Sequence, residues 1–211
     1  MKKELIAEIF SRFEKADANP KGELESVNTY TLLVAVILSA QATDIGVNKA
    51  THTLFQRVTT PEAMLKLGVD KLKNHIKTIG LYNAKAENII KMSQALVDRF
   101  GGKVPSTMDD LISLAGVGRK TANVILNIAF GQPTIAVDTH VFRVSNRTGM
   151  AKGDTVELIE KKLEKIVPAQ YKLHAHHWLI LHGRYICKAR NPNCAGCLIK
   201  DLCEYKEKNI A

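Results

Sequence analysis

The four cysteines of this chain, Cys187, Cys194, Cys197 and Cys203, stand together as C-x6-C-x2-C-x5-C, with none elsewhere. Thiolates are soft ligands, and four of them complete either a tetrahedral zinc site or an iron–sulfur cluster. The spacing departs from the paired C-x2-C…C-x2-C zinc arrangement, and ligand chemistry alone leaves the two metals open. Four cysteines could also pair as disulfides, but such local clustering in a chain read as cytosolic points first to a metal. Lys188, Arg190 and Lys200 surround the ligands, so a metal loop here could also present charge to phosphate.

A second group lies upstream, in Leu114-Ala115-Gly116-Val117-Gly118-Arg119-Lys120-Thr121-Ala122. Two glycines permit positive φ and close approach of a phosphate to the backbone. The amides of Val117, Gly118 and Arg119 would lie at the amino end of the following helix, where unpaired N–H groups and the helix dipole favour an anion. The alternative is a plain αα-hairpin turn. Lys120 follows immediately: burial or the positive helix end can free its amine as a nucleophile, whereas in the open it is a phosphate contact or a solvated charge. Asp138, in Val137-Asp138-Thr139-His140, either caps the next helix or, if brought opposite Lys120, steers proton transfer or stabilises positive charge on a sugar. Arg143 and Arg147, spaced i and i+4, would make a basic stripe along a nucleic-acid backbone or a solvated face. His174, His176 and His177 sit in an apolar segment and read as packing or surface residues rather than ligands.

These groups must be positioned by helices. Almost every periodic segment has a spacing near 3.6, with no convincing set of alternating strands, so the fold class expected is all-α. Residues 2–15 place Leu5, Ile6, Ile9 and Phe13 on one face, and residues 29–39 are apolar nearly all round. A helix carrying Val47, Ala50, Leu54 and Phe55 comes next. Thr60-Pro61 opens short helices at 61–66 and 69–76, parted by Gly68. A longer helix spans 83–99, Ser106 caps a short one reaching about Ala115, and 118–130 resumes the period. Gly131-Gln132-Pro133 reads as a domain crossover, followed by helices at 139–148, 155–166 and 170–185. The cysteine-rich tail has little periodicity and would depend on its metal for order.

The 211 residues suit one large domain or two small ones. Apolar residues make up 45%, and charged residues are 24% with signs interleaved, which argues for a globular chain rather than a disordered one. An excess of 30 Lys+Arg over 21 Asp+Glu gives a formal +9, favouring a polyanionic partner, nucleic acid or anionic membrane. The most apolar run, Leu32–Leu38, is too short to span a bilayer, and no secretory signal is apparent. A cytoplasmic or nucleoid-associated protein is expected.

Taken in order, Leu-x-Gly-Val-Gly-x-Lys-Thr-Ala, Val-Asp-Thr-His and the cysteine pattern closely resemble the endonuclease III family of helix-hairpin-helix base-excision repair glycosylases. Leu38-Ser39-Ala40-Gln41-Ala42-Thr43-Asp44, Ile79-Gly80-Leu81-Tyr82-Asn83 and His176-His177-Trp178-Leu179-Ile180-Leu181-His182-Gly183-Arg184 extend the likeness through nearly the whole chain. The resemblance implies two helical domains flanking a DNA-binding cleft: a six-helix domain over 22–132 with the hairpin, and an iron–sulfur domain made of 1–21 and 133–211. It implies that the four cysteines hold a [4Fe–4S] cluster. It places Lys120 on the family's nucleophile, Asp138 on its catalytic carboxylate, and Gln41 and Leu81 in loops that fill the gap left by a flipped nucleotide. A bifunctional glycosylase and abasic-site lyase follows, acting as a monomer on double-stranded DNA with oxidised pyrimidines or abasic sites, away from membranes. Its DNA contacts would be Gly116, Val117, Gly118, Arg119, Arg143, Lys188 and Arg190 with Gln41 and Leu81. Ala115 departs from the family, which often has proline there. The competing readings are a monofunctional mispair glycosylase, which would not need the Lys120 amine, a non-catalytic DNA-binding module, and a small iron–sulfur electron carrier, which poorly explains the hairpin.

Overall fold

The computed structural model describes residues 1–210, and every regular element among them is helical. The chain divides into two compact units, Glu23–Phe130 and a composite of Met1–Gly22 with the residues from Gly131 onward.

The continuous unit begins with α2 (Thr29–Leu38), which follows α1 (Lys3–Ala16) of the composite unit. Asn28 and Thr31 form a reciprocal cap: the Thr31 N–H donates to Asn28 Oδ1 at 2.9 Å and the Asn28 N–H to Thr31 Oγ1 at 3.0 Å. All residues from Tyr30 to Leu38 are buried, as an apolar face on every side requires. Around it lie α3 (Asp44–Phe55), α4 (Pro61–Leu67), α5 (Val69–Ile76), α6 (Tyr82–Phe100), α7 (Met108–Ile112) and α8 (Arg119–Phe130). Gly68, at φ 81°, separates α4 from α5 in a conformation that favours glycine. Leu33, Leu54, Met64, Leu72, Ile89 and Leu96 meet in the core, where Tyr30 Oη and Ser93 Oγ pair at 2.6 Å. The cap of α7 differs from expectation. Thr107, not Ser106, accepts the Asp110 N–H at 3.3 Å, and the helix ends at Ile112 because Leu114 and Val117 enter a tight turn.

In the composite unit α1 buries Ile6, Ile9, Phe10 and Phe13, an i, i+3, i+4, i+7 stripe. It packs with α9 (Thr139–Thr148), α10 (Val156–Ile166) and α11 (Lys172–Leu181) in one core. Phe10 stacks on Tyr171 with centroids 6.0 Å apart and lies 6.2 Å from Trp178. The single helix expected over 170–185 resolves into a 3₁₀ turn at Ala169–Tyr171, α11, and a π turn at His182–Ile186. The π turn brings Gly183 onto α9: a Cβ there would meet His140 Cβ at 2.8 Å and its carbonyl oxygen at 3.1 Å. His176 and His177 are core residues, with His176 Nδ1 2.8 Å from the Ala136 carbonyl oxygen. Burial, helped by His174, lowers the His177 pKa. No helix of the described residues is long and apolar enough to cross a membrane.

Candidate functional site

In the continuous unit, α7 and α8 are joined by the glycine turn. Gly116 has φ 79°, and a Cβ there would come 3.0 Å from Asn88 Cβ, so both conformation and space demand glycine. Gly118 is different from the sequence expectation: its φ is not positive, and a Cβ would meet nothing within 4 Å. Its carbonyl accepts the Ala122 N–H at 2.9 Å, so Gly118 begins α8 with its hydrogen-bearing face open. Val117 does not offer its amide. That N–H donates to the Leu114 carbonyl at 3.1 Å, and the side chain is buried, so Val117 shapes the turn. Arg119 and Lys120 are both exposed in that first turn.

Two other loops of this unit carry backbone that non-glycine residues rarely adopt. Gln41 has φ 56° and Leu81 φ 60°. Each costs about 1–2 kcal/mol relative to an ordinary conformation. Strain of this kind accumulates at sites that touch ligands. Leu81 is 65% exposed despite being aliphatic, and Gln41 is exposed as well. Ile45, one turn past Gln41 in α3, is 81% exposed.

In the composite unit Asp138 caps α9. Its Oδ1 accepts the N–H groups of His140 at 2.9 Å and Val141 at 2.8 Å. The capping reading is therefore observed, and both bonds use one oxygen, Oδ1. Arg143 and Arg147 lie on the same helix, but their guanidinium groups turn onto the chain's own carbonyls rather than forming the expected open stripe. Arg143 Nε donates to the Cys187 carbonyl at 2.9 Å, Nη2 to the Gly183 carbonyl at 2.7 Å, and Nη2 lies 3.2 Å from His140 Nδ1. Arg147 donates to the carbonyls of Lys188 at 2.6 Å and Ala189 at 3.0 Å and stacks over Tyr205 at 4.7 Å. The braces take carbonyls in the last turn of the π helix, at Gly183, and in the loop that follows it, at Cys187, Lys188 and Ala189. Sequence periodicity could place these arginines on a face, but not say what faced them.

The braced loop carries the cysteines. All four are unpaired, half-buried, and line one cavity with His182, Ile186, Ile199 and Tyr205. Four thiolates around one cavity are the ligand set of an iron–sulfur cluster. The Tyr205 N–H approaches Cys203 Sγ at 3.5 Å and Arg147 Nη1 approaches Cys187 Sγ at 3.8 Å, donors suited to sulfur bearing negative charge. Burial, with the neighbouring cysteines adding to it, raises the Cys197 and Cys203 thiols, so four thiolates here call for a cationic core between them. The residues present fit an iron–sulfur cluster. Arg12 of α1 clamps the same loop, donating to Asp201 Oδ1 at 2.6 Å, Asp201 Oδ2 at 3.0 Å and the Leu198 carbonyl at 2.9 Å. Lys188 and Arg190 stay exposed, their side chains without an ion pair among the described residues.

Comparison with known proteins extends these observations. Residues 34–169 match the family described as HhH-GPD superfamily base excision DNA repair protein. Residues 187–203 match the iron–sulfur binding domain of endonuclease III. Endonuclease III of Haemophilus influenzae is 58% identical over 208 residues, covering 99% of each chain. That of Escherichia coli K12 has the same identity and coverage. A solved structure of a trapped endonuclease III–DNA covalent intermediate superposes with a TM-score of 0.90 at 44% identity, covering 97% of this chain and 96% of that one. With full-length likeness, the superfamily region and the iron–sulfur region all in agreement, the chain belongs to the endonuclease III family of the HhH-GPD superfamily.

Proposed function

We propose that the protein is a bifunctional base-excision repair enzyme, removing oxidised pyrimidines from duplex DNA and then cleaving the abasic strand. The observation that carries this is an exposed lysine, Lys120, in the first turn of α8 directly after the Gly116 turn, in a chain 58% identical to endonuclease III. A relative has been caught as a covalent intermediate with DNA, which supports an amine nucleophile over an activated water. DNA is the partner, and phosphates flanking the lesion would rest on the amino end of α8, with Lys188 and Arg190 of the cluster loop adding charge.

The damaged nucleotide leaves the stack, an extrusion that is easier for a damaged base. Gln41 pairs with the orphaned partner base, and Leu81 holds the stack apart. The Lys120 Nζ lone pair attacks the sugar C1′, and the base departs with the electron pair of the glycosidic bond and takes up the proton that the new C1′–N bond makes acidic. The Asp138 carboxylate, held by its cap through Oδ1, offers Oδ2 to proton transfer and to the positive charge developing on the sugar. Opening of the ring leaves an iminium joining Nζ to C1′. Loss of the C2′ proton then expels the 3′ phosphate with the C3′–O bond pair, and water hydrolyses the imine to return the free lysine.

Cys187, Cys194, Cys197 and Cys203 would hold the [4Fe–4S] cluster, which when bound would supply order to the basic loop. A monomer working with the nucleoid in the cytoplasm fits this reading.

The test is borohydride trapping on a duplex with one oxidised pyrimidine. Native protein is expected to give a covalent band, and Lys120→Gln none. A band that persists in Lys120→Gln, or its absence from native protein that still binds the duplex, overturns the lysine mechanism.

A further inference from the structure

Lys85 is only 6% exposed, a charged side chain inside the continuous unit, and its partners are carbonyl oxygens rather than a carboxylate. Its Nζ donates to the Leu38 carbonyl at 2.9 Å and to the Ala40 carbonyl at 2.6 Å. Leu38 ends α2 and Ala40 immediately precedes Gln41, the residue at φ 56°. The last carbonyls of a helix lack intrahelical donors and carry the negative end of its dipole, so a buried ammonium is well placed there. The backbone N–H of the same lysine donates to the Leu81 carbonyl at 3.0 Å, closing the first turn of α6 onto the residue at φ 60°. One residue thus touches both loops of unusual backbone, through its ammonium on one side and its amide on the other.

We propose that Lys85 is a positioning residue that locks the Gln41 loop and the Leu81 turn in one register, so that both enter the duplex together when the damaged nucleotide leaves it. The inference rests on the insertion role assigned above to Gln41 and Leu81. Lysine suits the position because its long stem packs in the core while three N–H donors serve two carbonyls. Burial lowers its pKa and so works against the charge, which the two carbonyl acceptors favour. Without it the carbonyl of buried Leu38 would be left unpaired, and the loop between α2 and α3 would lose its tie to α6.

The experiment uses the full-length, cluster-loaded protein and two substrates under single-turnover conditions. One is a matched duplex with an oxidised pyrimidine, read as base release. The other is an abasic site facing a one-nucleotide gap, read as strand cleavage, where no partner base needs to be held. Lys85→Met is expected to slow base release by roughly 10- to 100-fold, the scale of a misplaced positioning contact, and to leave gap cleavage within about twofold. Lys85→Arg should recover part of the loss. In a Gln41→Ala, Leu81→Ala background, Lys85→Met should slow base release no further, because it acts through those residues. Equal losses on both substrates, no loss on either, or full additivity in that background overturns the proposal. If Gln41→Ala, Leu81→Ala alone keeps full base release, the insertion reading itself has failed, and this inference falls with it. Should Lys85→Met not yield loaded protein, Lys85→Gln, which keeps one N–H donor pair on a shorter stem, goes through the same comparison.

Discussion

The glycine turn between α7 and α8 and the cysteine loop after α11 both present irregular backbone in a basic setting, yet they are held in opposite ways. The turn is self-sufficient: Val117 N–H closes it on Leu114, Leu114 and Val117 are buried, and Gly116 supplies the one left-handed residue. The cysteine loop closes only short turns of its own, such as Cys197 N–H on Cys194 and Leu202 N–H on Ile199, which leave many of its carbonyls without a backbone donor. Its carbonyls at Gly183, Cys187, Lys188, Ala189 and Leu198 are taken by three arginines, Arg143, Arg147 and Arg12. A short turn between two helices can satisfy itself, whereas a long loop around a cavity must borrow donors from its neighbours and a core from its metal.

The sharpest way to break this contrast is at a ligand. Cys197→Ser replaces a soft thiolate by a hydroxyl, and the cluster loop should lose its order while the glycine turn keeps its own. Purified Cys197→Ser should lack the visible iron–sulfur absorbance, and hydrogen exchange should accelerate over residues 187–203 but not over 113–122. Equal acceleration in both segments would mean that the turn is not self-sufficient. A smaller effect is expected from Arg143→Met, which keeps bulk but leaves the Gly183 and Cys187 carbonyls without their charged donor. About 1–3 kcal/mol of stability should be lost, read as a lower denaturation midpoint, with the loss confined to the composite unit. An unchanged midpoint would show the braces to be dispensable.

The smallest effect separates the two glycines of the turn. Gly116→Ala should destabilise by about 1–2 kcal/mol from its positive φ alone, with Asn88 crowding added. Gly118→Ala has room and an ordinary φ, so the fold should hardly notice it. If Gly118 faces phosphate, its added methyl should instead raise the dissociation constant for duplex DNA. Thermal melts and a binding titration on both variants decide the matter, and a Gly118→Ala protein that melts like Gly116→Ala would erase the distinction.

Much of this arrangement was legible in residue order. The apolar run of 29–39, the Thr60-Pro61 start and the Gly68 break all correspond to observed helix boundaries, because caps, proline and left-handed glycine act within a few residues. The cysteine pattern announced a metal for the same local reason. Other features were not legible. The donors of Arg143 find acceptors about forty residues away, so helical spacing suggested an open stripe where the fold made a brace. The π turn depends on Gly183 meeting His140, a contact between two helices. Nothing near Lys85 in the sequence marks its role, because its carbonyl partners are more than forty residues earlier in the chain.

The amino-acid sequence by itself determined the helices and their ends, the thiolate set and the placement of an amine beside a glycine turn, since these follow from backbone preference and from spacing along one segment. Only the tertiary structure decided which cations stay open and which are enclosed. Lys120 remains exposed while Lys85 is buried against the end of α2, and the difference lies in the acceptors that distant segments bring within about 3 Å, the reach of a hydrogen bond.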